Sequence, residues 1–72
     1  MTHSVVGDRG QRYEVQCRGY PKPGWNVLGW TNVMADAVEV ARSIIKAPSC
    51  DRAQVFDRAD GVMVFECNED GD

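Results

Sequence analysis

The pattern of apolar and polar positions predicts one helix in the middle of the chain. Between residues 31 and 47, polar side chains recur every three or four positions and form one narrow stripe of Asp36, Glu39, Arg42, Ser43 and Lys46. The opposite arc is apolar, which is typical of a helix that packs against a sheet. Thr31 or Asn32 is expected to cap its N-terminus. Ala41 and Ile45 are expected to face the sheet.

Four further segments have the alternation or the turn context of β-strands. They are expected at residues 11–18, 25–30, 52–57 and 62–67. In the second segment, alternation places Trp25 and Val27 on one face and Leu28 and Trp30 on the other. The last two segments flank Asp60-Gly61, a dipeptide that favours tight hairpin turns.

These elements predict a single α+β domain over residues 1–72. The order β-β-α-β-β is most simply arranged as two layers, an antiparallel four-stranded sheet with the helix packed on one face. Residues 1–10 form either a lead-in or an extra short strand, residues 68–72 form an acidic tail, and the strand order stays open. The stretch GYPKPG, residues 19–24, joins two strands, because its two prolines cannot donate to a sheet ladder.

The cysteines predict the redox compartment. Cys17, Cys50 and Cys67 are odd in number, widely spaced and without a C-x-x-C pair. This pattern favours free or buried thiols over a disulfide framework or a zinc site. The first residues lack the basic and apolar regions of a signal peptide, and no apolar run of about 18 residues could span a membrane. We therefore expect a cytoplasmic protein with no metal, no other cofactor and no membrane partner.

Catalytic patterns are missing from the sequence. The one histidine, His3, lies near the terminus, and no phosphate-binding glycine loop, nucleophile elbow or facing carboxylate pair is present. We expect no enzymatic activity, which leaves binding as the function to be assigned.

Two surfaces are candidates for binding a partner. The first is acidic and lies at the second hairpin and the tail, with Asp57, Asp60, Glu66, Glu69, Asp70 and Asp72. Such carboxylates suit a groove lined with lysine and arginine. The second is basic and aromatic, with Arg12, Arg18, Tyr20, Lys22, Trp25 and Trp30. It would suit single-stranded nucleic acid if the tryptophans are exposed, which the sequence leaves open. The net charge of −3 at pH 7 disfavours this second surface.

A resemblance to a class of small proteins favours the acidic surface as the partner-binding surface. With its FECNEDGD tail and GYPKPGW loop, the chain resembles in size and layout the small accessory proteins of phages and mobile elements, anti-CRISPR proteins among them. This resemblance implies an inhibitor that occupies a basic surface of a host nucleic-acid-binding complex. The alternatives are a nucleic-acid-binding module and a homodimer joined through an edge strand.

Overall fold

The computed structural model describes residues 10–68 and gives them four strands and one helix. The elements are β1 Tyr13–Arg18, β2 Trp25–Thr31, α1 Met34–Ile44, β3 Arg52–Asp57 and β4 Val62–Asn68. The strands form one antiparallel sheet in the order β2-β1-β3-β4. The predicted α+β class, the element order and the antiparallel four-stranded sheet are confirmed. Residues 1–9 of the predicted lead-in or short strand and residues 69–72 of the predicted acidic tail lie outside the described residues, whereas Asn68, predicted as part of the tail, is the last residue of β4.

The core lies between α1 and one face of the sheet. Ala37 and Ala41 of the helix are fully buried, and they share the core cluster with Val15, Ala53, Val55 and Cys67. These small helix side chains let the helix backbone approach the sheet closely, while larger apolar side chains pack around them. Ala41 therefore faces the sheet as predicted, and Ile45 packs partly buried against the same cluster.

The start of the helix differs from the prediction. The N-cap residue is Val33, and no side chain caps the helix. The Thr31 hydroxyl accepts a hydrogen bond from the backbone N–H of Val33 at 3.1 Å. The side-chain oxygen of Asn32 accepts one from the backbone N–H of Arg12 at 2.8 Å. Both expected caps are thus used in turns that connect the elements.

A β-bulge in β2 changes which side chains share a face. The pairing of β1 with β2 shifts register at Leu28, which is skipped in the ladder. Leu28 packs partly buried against the core. Because the bulge adds one residue, Trp30 lies on the same face as Trp25 and Val27, opposite to the helix. The prediction that Leu28 and Trp30 share a face is wrong.

A disulfide joins Cys17 at the end of β1 to Cys50 just before β3. The two residues are 33 positions apart in sequence, and their Cα atoms lie 6.5 Å apart. The expectation that all three cysteines keep their thiols is therefore wrong, because spacing along the chain gives no measure of this distance. Cys67 is buried in the core, where its Sγ–H donates to the backbone oxygen of Ala41 at 3.8 Å. The cytoplasmic location loses the support of the cysteine pattern and stays a prediction.

The GYPKPG loop between β1 and β2 is held by its own hydrogen bonds. The backbone N–H of Gly19 donates to the oxygen of Gly24 at 2.9 Å. The Asn26 amide donates to the backbone oxygens of Lys22 and Gly24 at 2.8 and 3.1 Å. Gly19 and Gly24 both have a positive φ, +91° and +85°, which favours glycine. The loop is the predicted connection between two strands.

Candidate functional site

The candidate site is the sheet face that α1 does not cover, called here the open face. Successive side chains of a strand point to opposite faces, so the buried residues of the core cluster fix which ones point outward. The pairing register arranges the outward side chains in three rows that run across the strands from β2 to β4. The first row is Trp25, Arg18, Arg52 and Asn68; the middle row is Val27, Gln16, Gln54 and Glu66; the third row is Trp30, Glu14, Phe56 and Met63.

Apolar side chains flank the open face on both edge strands. Trp25 and Val27 on β2 are 47% and 49% exposed, and Met63 on β4 is 46% exposed. Trp30 and Phe56 in the third row are half-buried. Both tryptophans of the chain therefore lie on the open face and outside the core. A small domain that exposes several large apolar side chains on one face has a candidate binding surface there.

The centre of the open face is polar and internally hydrogen-bonded. The Trp30 indole N–H donates to one carboxylate oxygen of Glu14 at 2.9 Å. The Gln16 amide donates to the other oxygen at 2.6 Å. Gln54 in turn donates to the side-chain oxygen of Gln16. This ladder holds the indole ring of Trp30 and the side chains beside it in one arrangement, so the face needs little ordering when a partner binds.

The two arginines of the open face are each paired with a carboxylate. Arg18 donates two hydrogen bonds to Asp51, at 2.9 and 3.2 Å, and its guanidinium lies 5.8 Å from the ring centre of Trp25. Arg52 forms an ion pair with Glu66. The hydrogen bonds from Arg18 lower the pKa of Asp51 and raise that of Arg18. Since Arg18 and Arg52 are direct cross-strand neighbours, these pairs also offset the repulsion between them.

The structure places Asp57 away from the predicted acidic surface. This carboxylate is only 3% exposed and accepts two hydrogen bonds from Arg12, both of 2.8 Å. The Arg12 bonds, helped by the backbone N–H groups of Ala59 and Asp60, lower the pKa of Asp57 from 3.8 to about 2. Asp57 is therefore a structural ion-pair partner, and its assignment to a partner-binding surface is corrected.

The other predicted acidic residues are not assembled within the described part of the chain. Asp60 is exposed in the turn between β3 and β4, 3.4 Å from Arg12. Glu66 lies on the open face beside Arg52. Glu69, Asp70 and Asp72 lie outside the described residues. Within residues 10–68, the predicted acidic surface is reduced to two separated carboxylates.

Half of the predicted basic and aromatic set comes together. Arg18, Trp25 and Trp30 lie on the open face. Tyr20 and Lys22 lie in the GYPKPG loop, where Lys22 is exposed and Tyr20 half-buried. Arg12 lies beyond the other end of β1 and is occupied by Asp57. The assembled surface is thus aromatic, with its cations neutralised.

Eight residues of the open face were not predicted as site residues, namely Glu14, Gln16, Val27, Arg52, Gln54, Phe56, Met63 and Asn68. Alternation along each strand gives the outward positions once the strands are known. The missing information is the register and the two bulges, at Leu28 and Val64, which decide which residues end up outward. Glycine inside a strand is a known sign of a bulge, and Gly29 directly follows Leu28.

Neither a metal centre nor a membrane helix is found among residues 10–68. No group of three or more His, Cys, Asp or Glu side chains in this range could hold a metal ion. No helix in the same range is long and apolar enough to cross a membrane. Comparison of the chain with protein-family models, with curated proteins and with solved structures finds no match.

Proposed function

We propose that this chain is a small, non-enzymatic protein-binding domain that binds its partner through the open face. The observation that carries the proposal is the exposure of Trp25, Val27 and Met63 on a face that the helix leaves uncovered. Tryptophan, methionine and arginine are enriched in protein interfaces, and buried tryptophans contribute much of the binding energy there. Burial of these side chains against a protein would remove their apolar surface from water.

The charge of the open face favours a protein over a nucleic acid. Binding to phosphates depends on cations that release counterions, whereas Arg18 and Arg52 are already paired with Asp51 and Glu66. Single-stranded nucleic acid is the second candidate, and the position of both tryptophans on one face favours it, since bases stack on exposed rings. Inhibition of a host nucleic-acid-binding complex stays a prediction. It was predicted for the acidic surface, and three carboxylates of that surface lie beyond residue 68.

The test compares the same substitution on the two sides of the molecule. Met63 on the open face and Met34 on α1 are 46% and 40% exposed, so each can be changed to serine at similar cost to the fold. Immobilised wild type, Met63→Ser, Trp25→Ser and Met34→Ser are incubated with a nuclease-treated lysate of the cells in which the chain is made. We expect the two open-face variants to lose the captured proteins and Met34→Ser to retain them.

Filter binding to a mixed single-stranded oligonucleotide separates the second candidate. Retention at micromolar concentration that weakens steeply with salt and is lost in Trp25→Ser would favour nucleic acid. Loss of protein capture in Met34→Ser, with full capture by Met63→Ser, would place the binding surface on the helix and contradict the proposal.

A further inference from the structure

We propose that the open face binds the open face of a second copy of this chain, so that two sheets stack around a twofold axis. This inference rests on the proposed function and names the partner. Sheets that pack face to face lie about 10 Å apart, with their outward side chains in contact. A twofold interface requires a face that is complementary to itself.

The order of the three rows supplies that complementarity. The twofold axis lies between the two sheets, parallel to the middle row and perpendicular to the strands. Rotation about this axis places the first row of one copy over the third row of the other. Arg18 then lies over Glu14 of the second copy, because both belong to β1, and the same contact occurs twice. The pair with Asp51 uses Nε and Nη2 of Arg18, so its Nη1 group is left to face this carboxylate. Opposite charges across an interface guide association and fix its register.

The other positions fit the same axis. Trp25 meets Trp30 of the second copy on β2, and Arg52 meets Phe56 on β3, which brings two aromatic rings and a cation–aromatic pair together. Val27 lies on the axis and meets its own copy. Glu66 also approaches its copy, but each Glu66 is paired with Arg52 of its own chain.

The alternative twofold arrangements are less favourable. An axis parallel to the strands, between β1 and β3, would place Arg18 over Arg52 of the second copy. Pairing through an edge strand would use β2 or β4, and the ladders of both contain a bulge. Bulges at sheet edges hinder the addition of a further strand.

The size of the open face predicts a weak dimer. Four strands about 4.8 Å apart and three outward rows about 6.6 Å apart give a platform of roughly 400 Å². Two flat platforms would bury roughly 800 Å² together, and the projecting side chains add further buried area. The total therefore lies near the lower limit of about 1,000 Å² for a specific interface. We expect dissociation in the micromolar range, with dimers at high concentration and monomers on dilution.

The test is a charge exchange followed by sedimentation equilibrium over a range from about 1 μM to 1 mM. Wild type is expected to shift from monomer to dimer with concentration. Arg18→Glu and Glu14→Arg should each weaken the dimer at least about tenfold, because each brings like charges together twice. An equimolar mixture of the two variants should recover it, since the new carboxylate meets the new guanidinium and native Arg18 meets native Glu14.

Two further variants control for the fold and for the surface. Arg42→Glu makes the same charge change on exposed helix surface and should leave the dimer unchanged. Val27→Asp tests the axis without touching any ion pair, and at a 49% exposed position it should fold and abolish the dimer. Circular dichroism confirms that each variant is folded.

A wild type that stays monomeric to 1 mM, or a mixture that fails to recover the dimer, would overturn the second copy as partner. If the wild type is monomeric and captures proteins that Met63→Ser does not capture, the proposed function stands with a different partner. A dimer weakened by Arg42→Glu and not by Arg18→Glu would overturn both.

Discussion

At the scale of single residues, several charged side chains of residues 10–68 form ion pairs with each other. Asp57 at the end of β3 accepts two hydrogen bonds from Arg12 and others from the backbone N–H groups of Ala59 and Asp60. Arg12 of the predicted basic surface and Asp57 of the predicted acidic surface are therefore paired with each other. Sequence alone cannot reveal this, because Arg12 and Asp57 are 45 positions apart and meet only when β1 pairs with β3.

The ion pair between Arg12 and the buried Asp57 makes the fold sensitive to acid. The pKa of Asp57 is lowered from 3.8 to about 2 in the folded chain, so the ionised carboxylate stabilises the fold above its unfolded pKa. That contribution should be lost as the pH falls from about 5 toward 2. Urea unfolding across this range should show a fall in the free energy of unfolding that is smaller in Asp57→Asn. An equally steep fall in Asp57→Asn would show that the pair is not its source.

The disulfide predicts a thiol count. Denatured protein purified without reductant should give one reactive thiol per chain, and three after reduction, because Cys17 and Cys50 are joined. A cross-link that closes a loop of this length is expected to add about 3–4 kcal/mol to the free energy of unfolding. Cys17→Ser/Cys50→Ser should unfold at correspondingly lower urea. Three reactive thiols before reduction would contradict the disulfide.

At the scale of elements, the sequence predicts position better than orientation. The helix stripe and the four alternating segments place every element to within about three residues, because periodicity depends only on the local chain. The bulges at Leu28 and Val64 depend on how each strand pairs with its neighbour. The strand order and the outward set that includes Phe56 and Met63 depend on the same pairing, and so they required the structure.

Substitution of the two loop glycines Gly19 and Gly24 by alanine is expected to lower the free energy of unfolding by different amounts. Gly19 and Gly24 have similar positive φ angles, so alanine is strained at both, by about 1–2 kcal/mol. A Cβ at Gly19 would also clash with the backbone oxygen of Ser49, whereas a Cβ at Gly24 would have none of the described atoms within 4 Å. Chemical unfolding should therefore show a larger loss for Gly19→Ala than for Gly24→Ala. Equal losses would contradict the close approach.

Substitutions on the buried and the exposed side of α1 are expected to affect stability very differently. Ala41 is fully buried against the sheet, and Glu39 is exposed. Ala41→Asp should unfold the domain, because it places a charge in the core without a partner. Glu39→Gln should change the free energy of unfolding by no more than about 0.5 kcal/mol. A cooperative, native-like melt of Ala41→Asp in circular dichroism would contradict the packing of α1.

At the scale of the whole molecule, the domain has one covered and one uncovered sheet face. α1 packs against all four strands from one side, and the opposite side presents both tryptophans beside a hydrogen-bonded polar ladder. The sequence supplied Arg18, Trp25 and Trp30 as candidates, but it could not show that they share a surface. This open face is the surface that we propose for binding, with a second copy of the chain as its partner.

The most direct test is a dilution series of ¹⁵N-labelled protein followed by ¹H–¹⁵N correlation spectra. The chain has two tryptophans, so its two indole N–H signals both report on the open face. We expect both signals to shift between about 1 mM and 20 μM along one binding curve, while the amide signals of Met34 and Arg42 on α1 stay in place. Indole signals that stay fixed over the whole range would overturn the second copy as partner. Helix signals that move with concentration while the indole signals stay fixed would contradict the open face as the binding surface.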